Sequence, residues 1–109
     1  MLDGNKTYRF VMYLSKVKGS EYEGYYRYLS QPDDMSHRIS LSGTLHTGYQ
    51  YGYFTITGGE YGTERFDIDM MADDNGQISG DWKMYNSRYD AEKGIENYYK
   101  KYPVYLRVN

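Results

Sequence analysis

The sequence predicts an all-β domain: an antiparallel meander of seven or eight short strands closed into a small barrel, with a two-sheet sandwich as the alternative closure. Three observations carry this. Apolar and polar residues alternate at period two along most of the chain, glycine-containing turns separate these runs at hairpin spacing, and no stretch has the apolar period of a core helix. A chain of 109 residues has room for one hydrophobic core, so residues 1–109 are expected to form one domain.

The first strand runs from Thr7 to Lys16, with Tyr8, Phe10, Met12 and Leu14 on one face. Lys18-Gly19-Ser20 turns the chain into a second, Glu21 to Leu29, with Tyr22, Gly24, Tyr26 and Tyr28 on the matching face. After the loop opened by Gln31-Pro32-Asp33-Asp34, Ile39, Leu41, Gly43 and Leu45 alternate cleanly with Ser40, Ser42, Thr44 and His46. Strands follow at Tyr51 to Thr57, at Arg65 to Met71 with Phe66, Ile68 and Met70 inward, and at Gln77 to Tyr85 with Ile78, Trp82 and Met84 inward, punctuated by Gly58-Gly59 and Asp74-Asn75-Gly76. The last, Pro103 to Asn109, starts on a proline, which a first strand residue tolerates. Residues 86–101 break the rhythm and read as a long charged loop, with a helical turn near Ala91 to Tyr99 that Gly94 weakens.

Three strands share the form large-x-Gly-x-large around Gly24, Gly43 and Gly80, with the glycine on the inward face each time. A sheet that must curve over a narrow core needs such positions, where a neighbouring backbone comes close. The functional alternative is that these glycines line a ligand cavity.

The run Gly24-Tyr25-Tyr26-Arg27-Tyr28, the stretch Ile39 to Leu45, Ile78-Ser79-Gly80-Asp81-Trp82 and the closing Tyr102-Pro103-Val104-Tyr105-Leu106 resemble small β-domains of exported bacterial proteins of the Bacteroides type, loosely lipocalin-like in architecture. The resemblance implies a barrel-like fold and a periplasmic, surface or secreted setting. It brings no catalytic residues.

Charge and composition narrow the function classes. Thirteen Lys and Arg against fifteen Asp and Glu leave a net charge of -2, so no basic field draws nucleic acid or an anionic membrane. The absence of cysteine removes disulfides, thiolate nucleophiles and cysteine zinc sites. The apolar runs are too short for a membrane-inserted helix, and Met1-Leu2-Asp3-Gly4-Asn5-Lys6 has no signal-peptide core. His37 and His46 fit no metal spacing, and Asp73-Asp74-Asn75-Gly76 lacks the oxygen pattern of a calcium loop, so neither metal nor cofactor is expected. No nucleophile elbow or phosphate-cradling loop is present.

Two features remain. Asp67 and Asp69 lie two apart on an outward strand face, where water is their expected surrounding. An enzyme acting on polysaccharide would use them, or a loop glutamate such as Glu60 or Glu64, across a cleft. The other feature is an excess of tyrosine, 16 residues against one Trp and three Phe. Parity puts Tyr13, Tyr25, Tyr51, Tyr53, Tyr85 and Tyr105 opposite the aliphatic face, and Tyr49 lies in a loop beside them. Amphipathic rings with few rotatable bonds suit recognition. Cross-strand tyrosine pairs that merely brace the sheet are the alternative. The expected function is a non-enzymatic envelope or secreted module that binds glycan, peptide or protein through Tyr49, Tyr51, Tyr53, Tyr85 and Tyr105 and the 86–101 loop. A polysaccharide-acting enzyme and a structural, homo-oligomerising domain are its rivals.

Overall fold

Alternation at period two can be used only if each strand finds a neighbour in register, and here every neighbour is the next strand in sequence. The computed structural model describes residues 2–3, 6–47 and 52–107. β1 (Leu2–Asp3) and β2 (Lys6–Thr7) pair as a two-residue antiparallel ladder. The main sheet contains β3 (Phe10–Lys18), β4 (Glu21–Tyr28), β5 (Ile39–Thr47), β6 (Gly52–Gly58), β7 (Glu64–Asp69), β8 (Gln77–Met84) and β9 (Lys100–Arg107). They follow one another as an antiparallel meander. Tyr49, Tyr51, Val108 and Asn109 lie outside the described residues.

One face of this sheet forms the core. Tyr26, Leu41, Ile56, Phe66, Ile68, Ile78, Trp82 and Val104 are buried there. The sheet is curled enough that non-neighbouring strands meet across the core. The Tyr26 ring of β4 stands 5.7 Å from that of Phe66 on β7, and Phe10 of β3 is 6.3 Å from the same ring.

Glycine permits this curl at two of the three repeated positions. A Cβ on Gly24 would sit 1.6 Å from the Tyr13 carbonyl oxygen, and one on Gly80 would sit 2.1 Å from that of Asp67. Both obstacles are backbone of the adjoining strand. Gly43 is looser, since its Cβ would meet the Ile56 side chain at 3.2 Å and the Thr55 carbonyl oxygen at an ordinary 3.5 Å.

The barrel and the two-sheet sandwich are both corrected. Among the described residues the ladder ends at β3 on one side and β9 on the other without pairing these edges, and a single sheet supplies the core walls. At the seam Tyr8 and Tyr28 stand on the β3–β4 side and Trp82, Met84 and Tyr102 on the β8–β9 side, with a cavity between them. Pro103 fits this arrangement. It lies inside β9 rather than at its start, and an edge strand is where an interior proline is tolerated.

Residues 86–101 also differ from the expected loop. Ser87 caps a short helix α1 (Arg88–Lys93), its hydroxyl accepting from the Asp90 N–H at 3.1 Å. Gly94 ends it in the left-handed region at φ 67°, which only glycine enters freely. The glycine that weakened a helix further along is thus the terminator of one that begins earlier. Lys100 and Lys101 already belong to β9.

Candidate functional site

The outward face of the sheet carries the residues singled out by the sequence, and register sorts them. Tyr53 on β6, Asp69 on β7, Ser79 on β8 and Tyr105 on β9 are successive partners and form one row across four strands. The next row holds Thr55, Asp67, Asp81 and Pro103. Apart from Thr55, they line a shallow, open groove of about 560 Å³, with Tyr53 and Tyr105 at its two ends and carboxylates on its floor. Three inter-strand steps of ~4.8 Å put the two tyrosine backbones roughly 14 Å apart. Both side chains are available, Tyr53 being 45% and Tyr105 51% exposed. Tyr53 is held from one side by His46, which stacks on it at 4.5 Å while bonding Thr55 Oγ1 at 2.9 Å.

The floor carboxylates are not equivalent. Asp67 accepts from Arg65 Nε at 2.9 and 3.1 Å and pairs with Lys83 Nζ at 3.3 Å, so it is half-buried in an ion network rather than bathed in water as expected. Burial works against the Lys83 ammonium, but Asp67 and the more distant Glu96 hold its pKa above the usual value. Asp69 accepts from the Met71 N–H at 2.9 Å, closing the end of its strand. Asp81 alone of the three makes no ion pair or hydrogen bond with the described residues. General acid–base hydrolysis of a glycoside needs two carboxyls across a sugar-sized cleft, one of them shielded from water. Of the three here, Asp67 is already engaged by Arg65 and Lys83.

Glu64 lies in β7, not in a loop, and faces the core. It accepts from Tyr26 Oη at 2.7 Å and from Trp82 Nε1 at 2.9 Å, linking strands that are not neighbours. Burial pushes its carboxyl up, against the two hydrogen bonds, which favour the charged form. The same burial, with Glu64 beside it, keeps the Tyr26 phenol firmly protonated. Glu60 is exposed in the β6–β7 connection.

Tyr85 is corrected as a surface ligand residue. It is on the outward face, as parity requires, yet only 1% exposed. Helix α1 and the segment after it lie over this part of the sheet. Arg65 Nη1 donates to the carbonyls of Ala91 at 2.9 Å and Glu92 at 3.2 Å, satisfying the C-terminal turn of α1, and Gly94 leaves room for its guanidinium. Tyr98 then meets the Tyr85 ring edge-on at 6.2 Å. The Tyr85 hydroxyl is buried with no hydrogen-bond partner among the described residues. Elsewhere Tyr13 and Tyr25 pair at 5.2 Å with Arg38 over Tyr25, a bracing arrangement remote from the groove in register.

The remaining polar candidates are occupied by local structure. The Asp73 carboxylate accepts from the N–H groups of Asn75 and Gln77 at 2.8 and 3.0 Å, making the acidic stretch a turn. His37 lies within reach of the Pro32 carbonyl and Asp34. Of the predicted binding residues, the structure therefore brings Tyr53 and Tyr105 together and sets Tyr85 apart. The contributions of Ser79, Asp81 and Pro103 were missed because they become visible only once register is known. No family model, no curated protein and no solved structure matches the chain.

Proposed function

We propose that this protein is a non-catalytic binding module that holds a short glycan in the outer groove between Tyr53 and Tyr105, in a cell-envelope or secreted setting. The carrying observation is the single row Tyr53–Asp69–Ser79–Tyr105, which places exposed rings at both ends of a carboxylate- and hydroxyl-bearing floor. The C–H faces of a pyranose pack on tyrosine rings, while its hydroxyls donate to carboxylates such as that of Asp81. An open groove whose central carboxylate, Asp67, is held by Arg65 and Lys83 suits holding a sugar rather than cleaving it. The cell-envelope or secreted setting belongs to the same proposal and rests on sequence resemblance. Of the three partner classes considered, glycan is preferred to peptide because the exposed groups at the groove are rings and oxygen acceptors, with no deep side-chain pocket.

The test is a glycan array read with the native chain and with the Tyr53→Ser/Tyr105→Ser variant, alongside a peptide array and a light-scattering mass. Glycan signal that disappears in the variant at unchanged melting temperature is the expected result. Binding confined to peptides, or a self-association that the same substitutions abolish, would replace glycan by peptide or by a second copy of the chain.

A further inference from the structure

The outward face of the sheet holds a second hollow beyond Tyr53, over β4, β5 and β6. It measures about 240 Å³ and is floored by Ser42, Thr44, Thr55 and Thr57, with Glu21 and Glu23 of β4 and Glu92 of α1 also lining it. Register joins it to the tyrosine groove. Glu21, Thr44, Thr55, Asp67, Asp81 and Pro103 are successive cross-strand partners from β4 to β9, the first three lining the second hollow and the last three the groove. Five steps of ~4.8 Å make this row roughly 24 Å long.

The hydroxyls of the second hollow are available to a ligand. Thr55 Oγ1 is bonded to His46, but the side chains of Ser42, Thr44 and Thr57 make no hydrogen bond with the described residues, although Thr44 and Thr57 are half-buried. Threonine pairs that only braced the sheet would bond each other across the strands. Charge narrows the ligand further. Glu21, Glu23, Asp69 and Asp81 line the two hollows, and the one cation among the lining residues, Arg65, is held by Asp67 and the α1 carbonyls. A polyanion is repelled by this face, whereas the hydroxyls of a neutral sugar find acceptors on it. Spacing supplies the linkage. A row that crosses strands offers one side chain every ~4.8 Å, close to the rise per unit of an extended β-1,4-linked hexose chain, whereas an α-linked chain coils away from such a row.

We propose that the outer face binds a neutral, extended β-1,4-linked hexose chain of about six units along this row, one unit per strand position, with the Tyr53–Tyr105 groove holding three of them and the Thr44 hollow the others. This rests on the glycan reading and adds linkage, charge and length to it.

The experiment is isothermal titration calorimetry of the full chain with cellotriose and cellohexaose, beside maltohexaose and hexagalacturonate. Cellohexaose should bind about tenfold more tightly than cellotriose, the gain of one further net hydrogen bond. Thr44→Val keeps the branched shape of the side chain and should erase most of that gain while leaving cellotriose unchanged. Ser42→Phe, at an exposed position of the floor, should do the same by filling the hollow, and Thr44→Val decides alone if a urea melt shows that Ser42→Phe does not fold. Tyr53→Ser/Tyr105→Ser should weaken both lengths. Equal affinity for the two lengths, a hexaose advantage that survives the substitutions in the hollow, or maltohexaose or hexagalacturonate binding as tightly as cellohexaose would overturn the proposal and leave the glycan groove standing. Absence of saturable heat from either cello-oligosaccharide would also overturn it, and a glycan array blank for every linkage would show that the glycan reading had failed with it.

Discussion

Adding one methyl group at each of the three repeated glycines separates the roles that an identical sequence pattern gives them. At Gly24 the new Cβ would overlap the Tyr13 carbonyl oxygen at 1.6 Å, and at Gly80 that of Asp67 at 2.1 Å. No rotamer relieves a clash with backbone, so β3 must part from β4, or β7 from β8, over at least one ladder step. Overpacking of this kind costs about 1–3 kcal/mol when side chains can give way, and rigid backbone puts both substitutions at about 3 kcal/mol or more. At Gly43 the nearest atom is Ile56 Cγ1 at 3.2 Å, a side chain that moves by a few tenths of an ångström. Gly43→Ala is therefore expected within about 1 kcal/mol of the native chain. Urea and thermal melts on all three variants provide the assay, with Gly24→Ala and Gly80→Ala melting roughly 10–20 °C lower. If Gly43→Ala were the most damaging, or Gly24→Ala lay within ~0.5 kcal/mol of native, glycine would not be what lets the sheet curl.

Three further outcomes follow from the interior. Tyr85→Phe removes a buried hydroxyl that has no partner among the described residues, so stability should rise by up to about 1 kcal/mol; a loss of that size in a urea melt would mean the hydroxyl is bonded. Trp82→Ala should cost about 3–5 kcal/mol, since the ring is 5% exposed and packed on both sides, and a loss under ~1 kcal/mol would place it outside the core. The third concerns pH. Because the Glu64 carboxyl is raised above 4.5 in the folded chain, folding takes up a proton, and the associated stability is present at low pH and lost as pH climbs through the folded value. Glu64→Gln cannot titrate, so its stability relative to native should improve as pH rises above 4.5 and then level off. A constant or opposite difference across that range would contradict the burial assigned to Glu64.

Much of this fold was legible because period-two alternation and turn glycines are local signals. The strand faces, the inward Trp82 and the connections at Gly58-Gly59 and Asp74-Asn75-Gly76 all follow from neighbours in sequence. Closure was not legible, because whether β3 meets β9 depends on side-chain bulk summed over strands far apart in the chain. Pro103 was the one local sign of an open edge, and it reads equally as the first residue of a strand. The site was half legible. Parity placed Tyr53 and Tyr105 outward, but only register aligns them with Asp69 and Ser79 in one row. Parity also placed Tyr85 outward and missed its burial, since α1 and its anchor to Arg65 form at a sequence separation of some two dozen residues. Glu64 reads as a loop glutamate because a carboxylate next to a turn looks solvated until its partners on β4 and β8 are known.

The groove assignment is tested most directly by mapping amide and ring chemical shifts as the best oligosaccharide from the array is titrated into the native chain. The expected shifts cluster on Tyr53, Asp69, Ser79, Asp81 and Tyr105 and leave the Trp82 indole N–H in place. Shifts centred on the seam at Tyr28 and Tyr102, or on the Tyr13–Tyr25 pair, would contradict it.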